Sequence, residues 1–327
     1  MPTTKAFLQT CLFGFAATAL LSACDNGSAG DDDSETGNTT DATSTTGDVD
    51  PTLDGECSLE DRVGLFRVYH EEGYSAADGE INDGVVPTSV LHETLAEGDC
   101  RLMKRENPFC DPPCGPGEVC THEGTCVPYP ERQETGDVTI DGLDVPLTME
   151  PRSDKRYFDT TLPHPAFSPG TTISLTSTGS EVGPLSLSGR GISPIVVSDT
   201  SWTIAEATDL SITWEAEEGD ASFYLTINID QHGNSPSTLV CETEDDGELV
   251  VPASVIDALL ESGTSGFPMG HAYRRTADSQ QAGEGCVEFQ VFSHIGVDVE
   301  VAGHTPCTSD ADCPDGQTCD LMLQTCV

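Results

Sequence analysis

Positive charge is scarce in this sequence of 327 residues. Lysine and arginine together number 13, against 57 aspartate and glutamate residues, which gives a formal net charge of −44 at pH 7. A surface of this sign repels phosphate backbones and anionic lipid headgroups, so the composition argues against nucleic acid as a partner. Because cations are few, ion pairs cannot neutralise the acidic groups. Their repulsion must be offset by burial, cross-links, screening ions or bound divalent metal.

Catalytic signatures are missing as well. The sequence contains no G-x-S-x-G elbow, H-E-x-x-H pair, P-loop or G-x-G-x-x-G fingerprint. The histidines show no pairing at i, i+3 or i, i+4: His70, His92, His122, His164, His232, His271, His294 and His304. We therefore expect no enzymatic activity. The alternative is an envelope hydrolase assembled from loops, in which an acid would meet His232 or His164 in one pocket, although His232 is better interpreted as a turn residue.

Long apolar runs are absent beyond the N-terminus. One apolar stretch covers residues 6–21, follows Lys5 and is interrupted by three polar residues. It is too short and too interrupted to span a bilayer, which takes about 20 apolar residues. Its length and its positive flank are typical of an export signal. Residues 1–23 are therefore predicted to be a signal peptide.

The four residues Leu21, Ser22, Ala23 and Cys24 follow this stretch directly and resemble the lipobox of bacterial lipoprotein precursors residue for residue. The resemblance implies cleavage between Ala23 and Cys24, attachment of diacylglycerol to the Cys24 thiol, and acylation of the new α-amine. Several acyl chains give stable anchoring, because each buried methylene contributes about 0.8 kcal/mol. An ordinary signal peptide cut after Ala23 is the alternative.

The lipobox resemblance also sets the expected location. We expect an exported protein that is held in the membrane by lipid on Cys24 and faces the outside of the cell envelope. In this family, aspartate after the cysteine can favour retention in the inner membrane, so Asp25 leaves the choice of membrane open. The outer membrane or the cell surface is the preferred location.

Residues 24–56 are acidic and rich in serine and threonine, with no aromatic and no basic side chain. A segment of this composition cannot bury enough apolar surface to offset the entropy of ordering. It is predicted to be a disordered tether between the anchor and the folded part of the chain.

Twelve cysteines remain once Cys11 in the signal peptide and Cys24 are set aside, and an even number in an exported chain indicates disulfides. They are Cys57, Cys100, Cys110, Cys114, Cys120, Cys126, Cys241, Cys286, Cys307, Cys313, Cys319 and Cys326. Cys57 and Cys100 bracket a predicted small β unit over residues 57–109, which a bridge between them would close. Cys241 and Cys286 are predicted to pair with each other.

Two clusters of four cysteines have related spacings: C-x3-C-x5-C-x5-C in residues 110–133 and C-x5-C-x5-C-x6-C in residues 304–327. Both resemble the short cysteine-rich modules of extracellular proteins, of the EGF-like and Dickkopf N-terminal type. Four cysteines allow three pairings in each module. Zinc binding is the competing use of such clusters, and the lack of a CxxC knuckle disfavours it.

Residues 134–303 carry the largest predicted core. Apolar residues alternate with polar ones in several short runs separated by Gly, Pro and Asp turns, which is typical of antiparallel sheets. The prediction for the whole chain is a mainly β fold: an antiparallel β-sandwich plus a small β unit and two disulfide-rich modules, after the tether. One helix is predicted over residues 254–261, with a loop as the alternative. Trp214 precedes both nearby cysteines, so an immunoglobulin-like sandwich is an analogy of architecture only.

Calcium is the one cofactor that the acidic loops suggest, and no other cofactor is expected. A hard cation needs several oxygens converging at about 2.3 to 2.6 Å. Three acidic segments supply the candidate ligands: the loop after Trp214, a second acidic turn and the last module. The candidates are Glu217, Asp220, Asp245, Asp246, Asp310 and Asp312, and the first loop also carries Glu215 and Glu218. Asp310 and Asp312 begin like an EF-hand loop, but Pro314 breaks the motif.

Together these features predict a non-enzymatic, lipid-anchored surface protein with a binding or structural role. Its partner would be an extracellular protein or a glycan. A protease inhibitor is a further alternative, with residues 121–124 and 321–324 as the contact loops of the two modules.

Overall fold

The computed structural model describes residues 52–105, 110–217, 219–230 and 237–327. The signal peptide, the lipidation candidate Cys24 with Ala23, nearly all of the tether, Glu218 and His232 lie outside these ranges. What the sequence predicts for them stays a prediction. Within the described ranges the fold is mainly β, as predicted.

The strands, in chain order, are β1 (Arg62–Glu71), β2 (Tyr74–Asn82), β3 (His92–Glu97), β4 (Cys100–Lys104), β5 (Glu118–Cys120), β6 (Cys126–Pro128), β7 (Arg132–Gln133), β8 (Val138–Asp141), β9 (Leu147–Met149), β10 (Tyr157–Asp159), β11 (Thr172–Ser177), β12 (Ser186–Arg190), β13 (Ser201–Ile204), β14 (Leu210–Thr213), β15 (Ser222–Asn228), β16 (Ser237–Glu244), β17 (Glu248–Val251), β18 (Met269–Ala282), β19 (Gly285–Val301), β20 (Cys319–Asp320) and β21 (Thr325–Cys326). The described ranges contain one α-helix, α1 (Ala253–Glu261), and short 3₁₀ turns at Pro87–Ser89 and Asp310–Asp312.

Eleven strands form one large sheet in the order β10-β2-β1-β19-β18-β15-β16-β4-β3, with β13 beside β19 and β7 beside β2. Its centre is the long hairpin of β18 and β19, whose two-residue turn contains Gly283 at φ +65°, a backbone conformation that glycine adopts without strain. The antiparallel prediction holds for most pairs. It was wrong for β13, which runs parallel to β19, and β1 of the predicted small unit also runs parallel to β19.

One face of the large sheet covers two hydrophobic cores. The four-stranded sheet β12-β11-β8-β9 packs against β1, β2 and the first half of β19. The β14–β17 pair and α1 pack against β13, β15, β16, β18 and the end of β19. This arrangement confirms the predicted sandwich. The predicted helix is also confirmed, and α1 buries Val255, Ile256 and Leu259. No helix in the described ranges has the length and apolar character that a membrane span requires.

The two long-range disulfides differ from the predicted pairs. Cys57 bonds Cys286 and Cys100 bonds Cys241, at sequence separations of 229 and 141 residues. The sheet explains both, because Cys286 lies opposite Arg62 at the start of β1 and Cys241 lies directly opposite Cys100. The prediction of a separate unit over residues 57–109 was therefore wrong, since its strands belong to the large sheet.

The two cysteine modules share one connectivity, in which the first cysteine bonds the third and the second bonds the fourth. The pairs are Cys110–Cys120 and Cys114–Cys126 in one module, and Cys307–Cys319 and Cys313–Cys326 in the other. Each module contains a small hairpin, β5–β6 or β20–β21, with two cysteines directly opposite each other. The structure thus chooses one of the three pairings that the spacing left open.

Candidate functional site: an aromatic and histidine band on the outer sheet face

The outer face of the large sheet is the face opposite the two cores. Because successive side chains alternate, β1 sends Phe66 and Val68 into the core and Arg67, Tyr69 and Glu71 to the outer face. The same alternation places residues of β18 and β19 beside them. We name the central group on this face the aromatic band; it consists of Tyr69, Tyr74, His271, Tyr273, Phe292 and His294.

The rings of the band contact each other across neighbouring strands. Tyr69 lies opposite Phe292, and their rings stack with centroids 5.0 Å apart and planes at 4°. Tyr273 lies opposite His294, with ring centroids 5.2 Å apart and planes at 22°. Tyr273 also meets Phe292 edge-on at 5.7 Å. Direct cross-strand neighbours thus hold the band in a fixed arrangement.

Glu71 connects two members of the band. Its Oε1 lies 2.9 Å from Nε2 of His294, and Tyr74 donates a hydrogen bond to the same carboxylate. That hydrogen bond is the main reason why the pKa of Tyr74 rises to about 12. Partial burial raises the pKa of Glu71, but the hydrogen bonds from Tyr74 and His294 outweigh it and leave the pKa below its usual range. Glu71 is therefore an ionised acceptor at neutral pH.

His271 stands beside His294 on the outer face, with ring centroids 5.9 Å apart. The pKa of His271 is lowered below its ordinary value, chiefly by burial and to a smaller extent by the neighbouring His294. His271 is thus a neutral imidazole at pH 7. In the described part of the chain, Nδ1 of each of these two histidines is shielded from solvent and lacks a hydrogen-bond partner.

The N-terminal strap, residues 52–57, contacts β18 and β19 away from the band. The backbone N–H of Asp54 donates to Oδ1 of Asp278 at 2.9 Å, and that of Cys57 donates to the buried Glu288 at 3.1 Å. The Cys57–Cys286 disulfide fixes the end of the strap on β19. The described chain therefore enters the fold beside β18 and β19.

Beneath the strap, Arg275 is a buried cation. Its Nη2 lies 2.5 Å from Oε1 of Glu56 and 3.0 Å from Oε2 of Glu242, and its guanidinium stacks on the Tyr224 ring at 3.8 Å. Burial, together with the charges of Glu242 and Glu288, raises the pKa of Glu56 to about 7 against the attraction of Arg275. The strap thus holds a carboxyl group that titrates near neutrality.

The structure brings four of the six calcium candidates to one acidic cleft with a volume of about 1340 Å³: Glu217, Asp220, Asp245 and Asp246. Three of them already contact cations, because Glu217 and Asp245 lie at Arg274 and Asp220 lies at Arg190.

The other two candidates lie in the C-terminal module, where Asp310 and Asp312 accept backbone N–H groups. Among the described residues, the groups of three metal-ligand atoms within 4.8 Å of one another consist of cysteines. Those cysteines are bonded in disulfides. These contacts add no support for calcium, which stays a prediction.

His164 is one of the two histidines that the hydrolase alternative requires. Its Nδ1 lies 3.0 Å from Oγ of Ser75. Ser75 is only 1% exposed, so this hydroxyl is not an accessible nucleophile. The neighbouring His70 stacks on Phe167 at 3.8 Å and accepts the N–H of Ala166 through Nε2. Burial lowers the pKa of His70 to about 4. These contacts are those of a neutral histidine within a core.

No family model matches the chain, and no curated protein matches it. Among solved structures, the chain is similar to the crystal structure of the FN1-FN3 domains of chicken CNTN1, at 10% identity and a TM-score of 0.18. The match covers 69% of this chain and 78% of that chain. At this TM-score the likeness carries no argument about fold or function.

Histidine pairing is the feature that the sequence did not reveal. Among the described residues, three pairs of histidines have ring centroids 4.5 to 5.9 Å apart: His70 with His164, His92 with His122, and His271 with His294. The alternation of side chains along β18 puts His271 and Tyr273 on one face of that strand. It could not show which residues of the next strand lie opposite them, because that depends on register.

Proposed function

We propose that the protein is a non-enzymatic, lipid-anchored protein of the bacterial cell envelope that binds a partner protein through the outer face of its sheet. The lipobox residues ending in Cys24 support the anchor. Six disulfides, two of them between distant segments, suit an oxidising location outside the cytoplasm.

The aromatic band is the observation that carries the binding role. Its member Tyr74 is 43% exposed, and the band is flanked on the same face by Phe158 at 41% and Met269 at 43%. Tyrosine, phenylalanine, methionine and arginine are the residues enriched at protein interfaces. A sheet face with stacked rings is also rigid before binding, so little side-chain entropy is lost on association.

Charge sets the chemistry of the partner. With a net charge of −44, the protein repels acidic surfaces over long distances. Glu71, ionised beside Tyr74 and His294, adds a local negative charge. The partner therefore offers a basic contact surface, and association becomes slower as salt is raised.

Site-specific photocrosslinking in cells tests this proposal. A benzophenone amino acid is placed at Tyr74, on the outer face, and at Tyr129 as a control, since that tyrosine is 50% exposed but lies in the first cysteine module. We expect one discrete protein adduct from position 74 and none from position 129. Equal adducts from both positions, or none from position 74, would overturn the proposed binding face.

The anchor is tested separately. Cys24→Ser is expected to move the protein from the membrane fraction to the culture fluid, with loss of the acyl mass from the N-terminal peptide. Unchanged fractionation with an unmodified Cys24 in the wild type would refute lipidation and leave the binding face standing.

A protease inhibitor is the second candidate, and one exposed loop favours it. In the C-terminal module, Leu321, Met322 and Leu323 are 69%, 85% and 45% exposed between β20 and β21. Two disulfides hold this hairpin, and a rigid exposed loop suits insertion into a protease cleft. In the other module, the ring of His122 lies 4.5 Å from that of His92, so its loop contacts the sheet.

The test of the second candidate is a protease panel with the intact protein and Met322→Asp. Inhibition that the substitution abolishes would establish this role. Absence of inhibition across the panel, or inhibition that Met322→Asp leaves unchanged, would discard residues 321–324 as the contact loop.

A further inference from the structure

We propose that His271 and His294 bind one divalent transition-metal ion, of the zinc or copper class, through their Nδ1 atoms, with Glu71 orienting His294. The inference goes beyond the proposed function and does not depend on the lipid anchor or on the partner protein. Three observations carry it.

The first observation is the placement of the two imidazoles. His294 lies opposite Tyr273 in the β18–β19 hairpin, and His271 lies opposite Gly296, so the two histidines are diagonal neighbours. Both side chains stand on the outer face, and their ring centroids are 5.9 Å apart. Gly296 brings no side chain into the space beside His271. Diagonal neighbours on adjacent strands are within reach of each other's long side chains.

The second observation concerns unpartnered nitrogen atoms. Among the described residues, Nδ1 of His271 and Nδ1 of His294 are both shielded from water and make no hydrogen bond. Buried polar atoms nearly always have a partner, and an exception calls for a cause such as a bound ion. A single ion between the two rings would supply the missing partner of both Nδ1 atoms.

The third observation is the carboxylate behind His294. Oε1 of Glu71 lies 2.9 Å from Nε2 of His294, and Tyr74 donates a hydrogen bond to the same carboxylate. An ionised carboxylate keeps the proton of a neutral imidazole on Nε2, which leaves a free electron pair on Nδ1. A histidine that binds metal through one nitrogen usually donates its other N–H to such an acceptor.

The donor set selects the class of metal. Neutral imidazole nitrogen suits zinc, copper and nickel, whereas calcium and magnesium require oxygen ligands. Two protein nitrogens leave the remaining coordination positions to water. Because Nδ1 of both rings is shielded, the rings must tilt for the ion to enter. Tyr273 stacks on His294, so ion binding also changes the environment of that tyrosine.

The experiment titrates the purified full chain, stripped with chelator, with ZnCl2 or CuCl2 in isothermal calorimetry and in tyrosine fluorescence. We expect one site in the wild type and its loss in His271→Ala and in His294→Ala. Glu71→Gln keeps both ligands but weakens orientation, and the expected loss of affinity is about 10- to 100-fold.

The matched control is the double variant His92→Ala/His122→Ala, which removes the other outward-lying histidine pair. It is expected to leave the site unchanged. Binding that survives in both His271→Ala and His294→Ala would overturn the proposal, as would binding lost in the control or no binding in the wild type. Near-ultraviolet circular dichroism of each variant shows that lost binding is not lost folding.

Discussion

Replacing Cys57 and Cys286 by serine removes the bridge that ties the strap to β19. The bridge joins residues 229 apart in sequence. In the chain-entropy treatment, closing a loop of this length raises the free energy of the unfolded chain by about 5 kcal/mol at 25 °C. The Cys307–Cys319 bridge joins residues only 12 apart. The same treatment gives about 3 kcal/mol for that bridge, and its effect stays within the module.

The assay is equilibrium unfolding in guanidinium chloride, followed by tryptophan fluorescence. Both tryptophans, Trp202 and Trp214, belong to the core under β18 and report the main transition. Since measured effects fall below the entropic value, we expect Cys57→Ser/Cys286→Ser to lower the free energy of unfolding by about 3 to 5 kcal/mol. Cys307→Ser/Cys319→Ser should leave the main transition almost unchanged. Equal effects of the two pairs would refute the reasoning.

The single variant Cys57→Ser tests the pairing itself. It leaves one free thiol, which alkylation and peptide mass spectrometry locate. The structure predicts the label on Cys286. A label on Cys100 would contradict the observed pairing and support the one that the sequence suggested.

Three further outcomes are measurable by thermal unfolding. A Cβ at Gly79 would lie 2.1 Å from the Phe66 ring, whereas a Cβ at Gly296 meets no described atom within 4 Å. Gly79→Ala should therefore lower the free energy of unfolding by about 1 to 3 kcal/mol or more, and Gly296→Ala by less than about 0.5 kcal/mol. Equal losses would contradict the packing. The pKa of Glu56 in the folded protein is about 7, above its ordinary value of 4.5. The free energy of unfolding of the wild type should therefore fall as pH rises from 5 to 8, and Glu56→Gln should not show this pH dependence. The pKa of His70 is lowered from 6.5 to about 4, so stability should fall by up to about 3 kcal/mol as pH drops through this window, and an unchanged slope in His70→Gln would exclude His70 as the cause.

Local features of the fold could be predicted because their causes are local. The alternation in β1 and β15 follows from the pleat of a strand, and it correctly separates Phe66 from Tyr69 and Phe223 from Tyr224. The apolar stripe of α1 follows from helical spacing over a single segment. The spacing of the module cysteines restricts them to short bridges within each module, so the existence of the modules could also be predicted.

Pairing between distant segments could not be predicted in the same way. The parallel insertion of β1 beside β19 decides the partner of Cys57, and no local pattern in residues 57–109 encodes it. The aromatic band has the same origin, since Tyr69 and Phe292 meet only through that register. Sequence reasoning treated neighbouring cysteines as partners, and a sheet that pairs β1 with β19 makes that assumption fail.

Two adjacent arginines show how so acidic a chain uses its few cations. Arg274 points into the core side of β18, where Nε lies 2.5 Å from Oδ2 of Asp245 and Nη1 lies 3.5 Å from Glu217. Arg275 points to the outer face and holds Glu56 and Glu242.

The strand β18 therefore pairs with four acidic residues through these two arginines, two residues on each of its faces. Each arginine is at most 7% exposed, so water screens these attractions less than it screens repulsion between surface acids. The Asp245 side chain is 1% exposed, so leaving it without Arg274 costs about 3 to 5 kcal/mol, which makes Arg274 costly to replace.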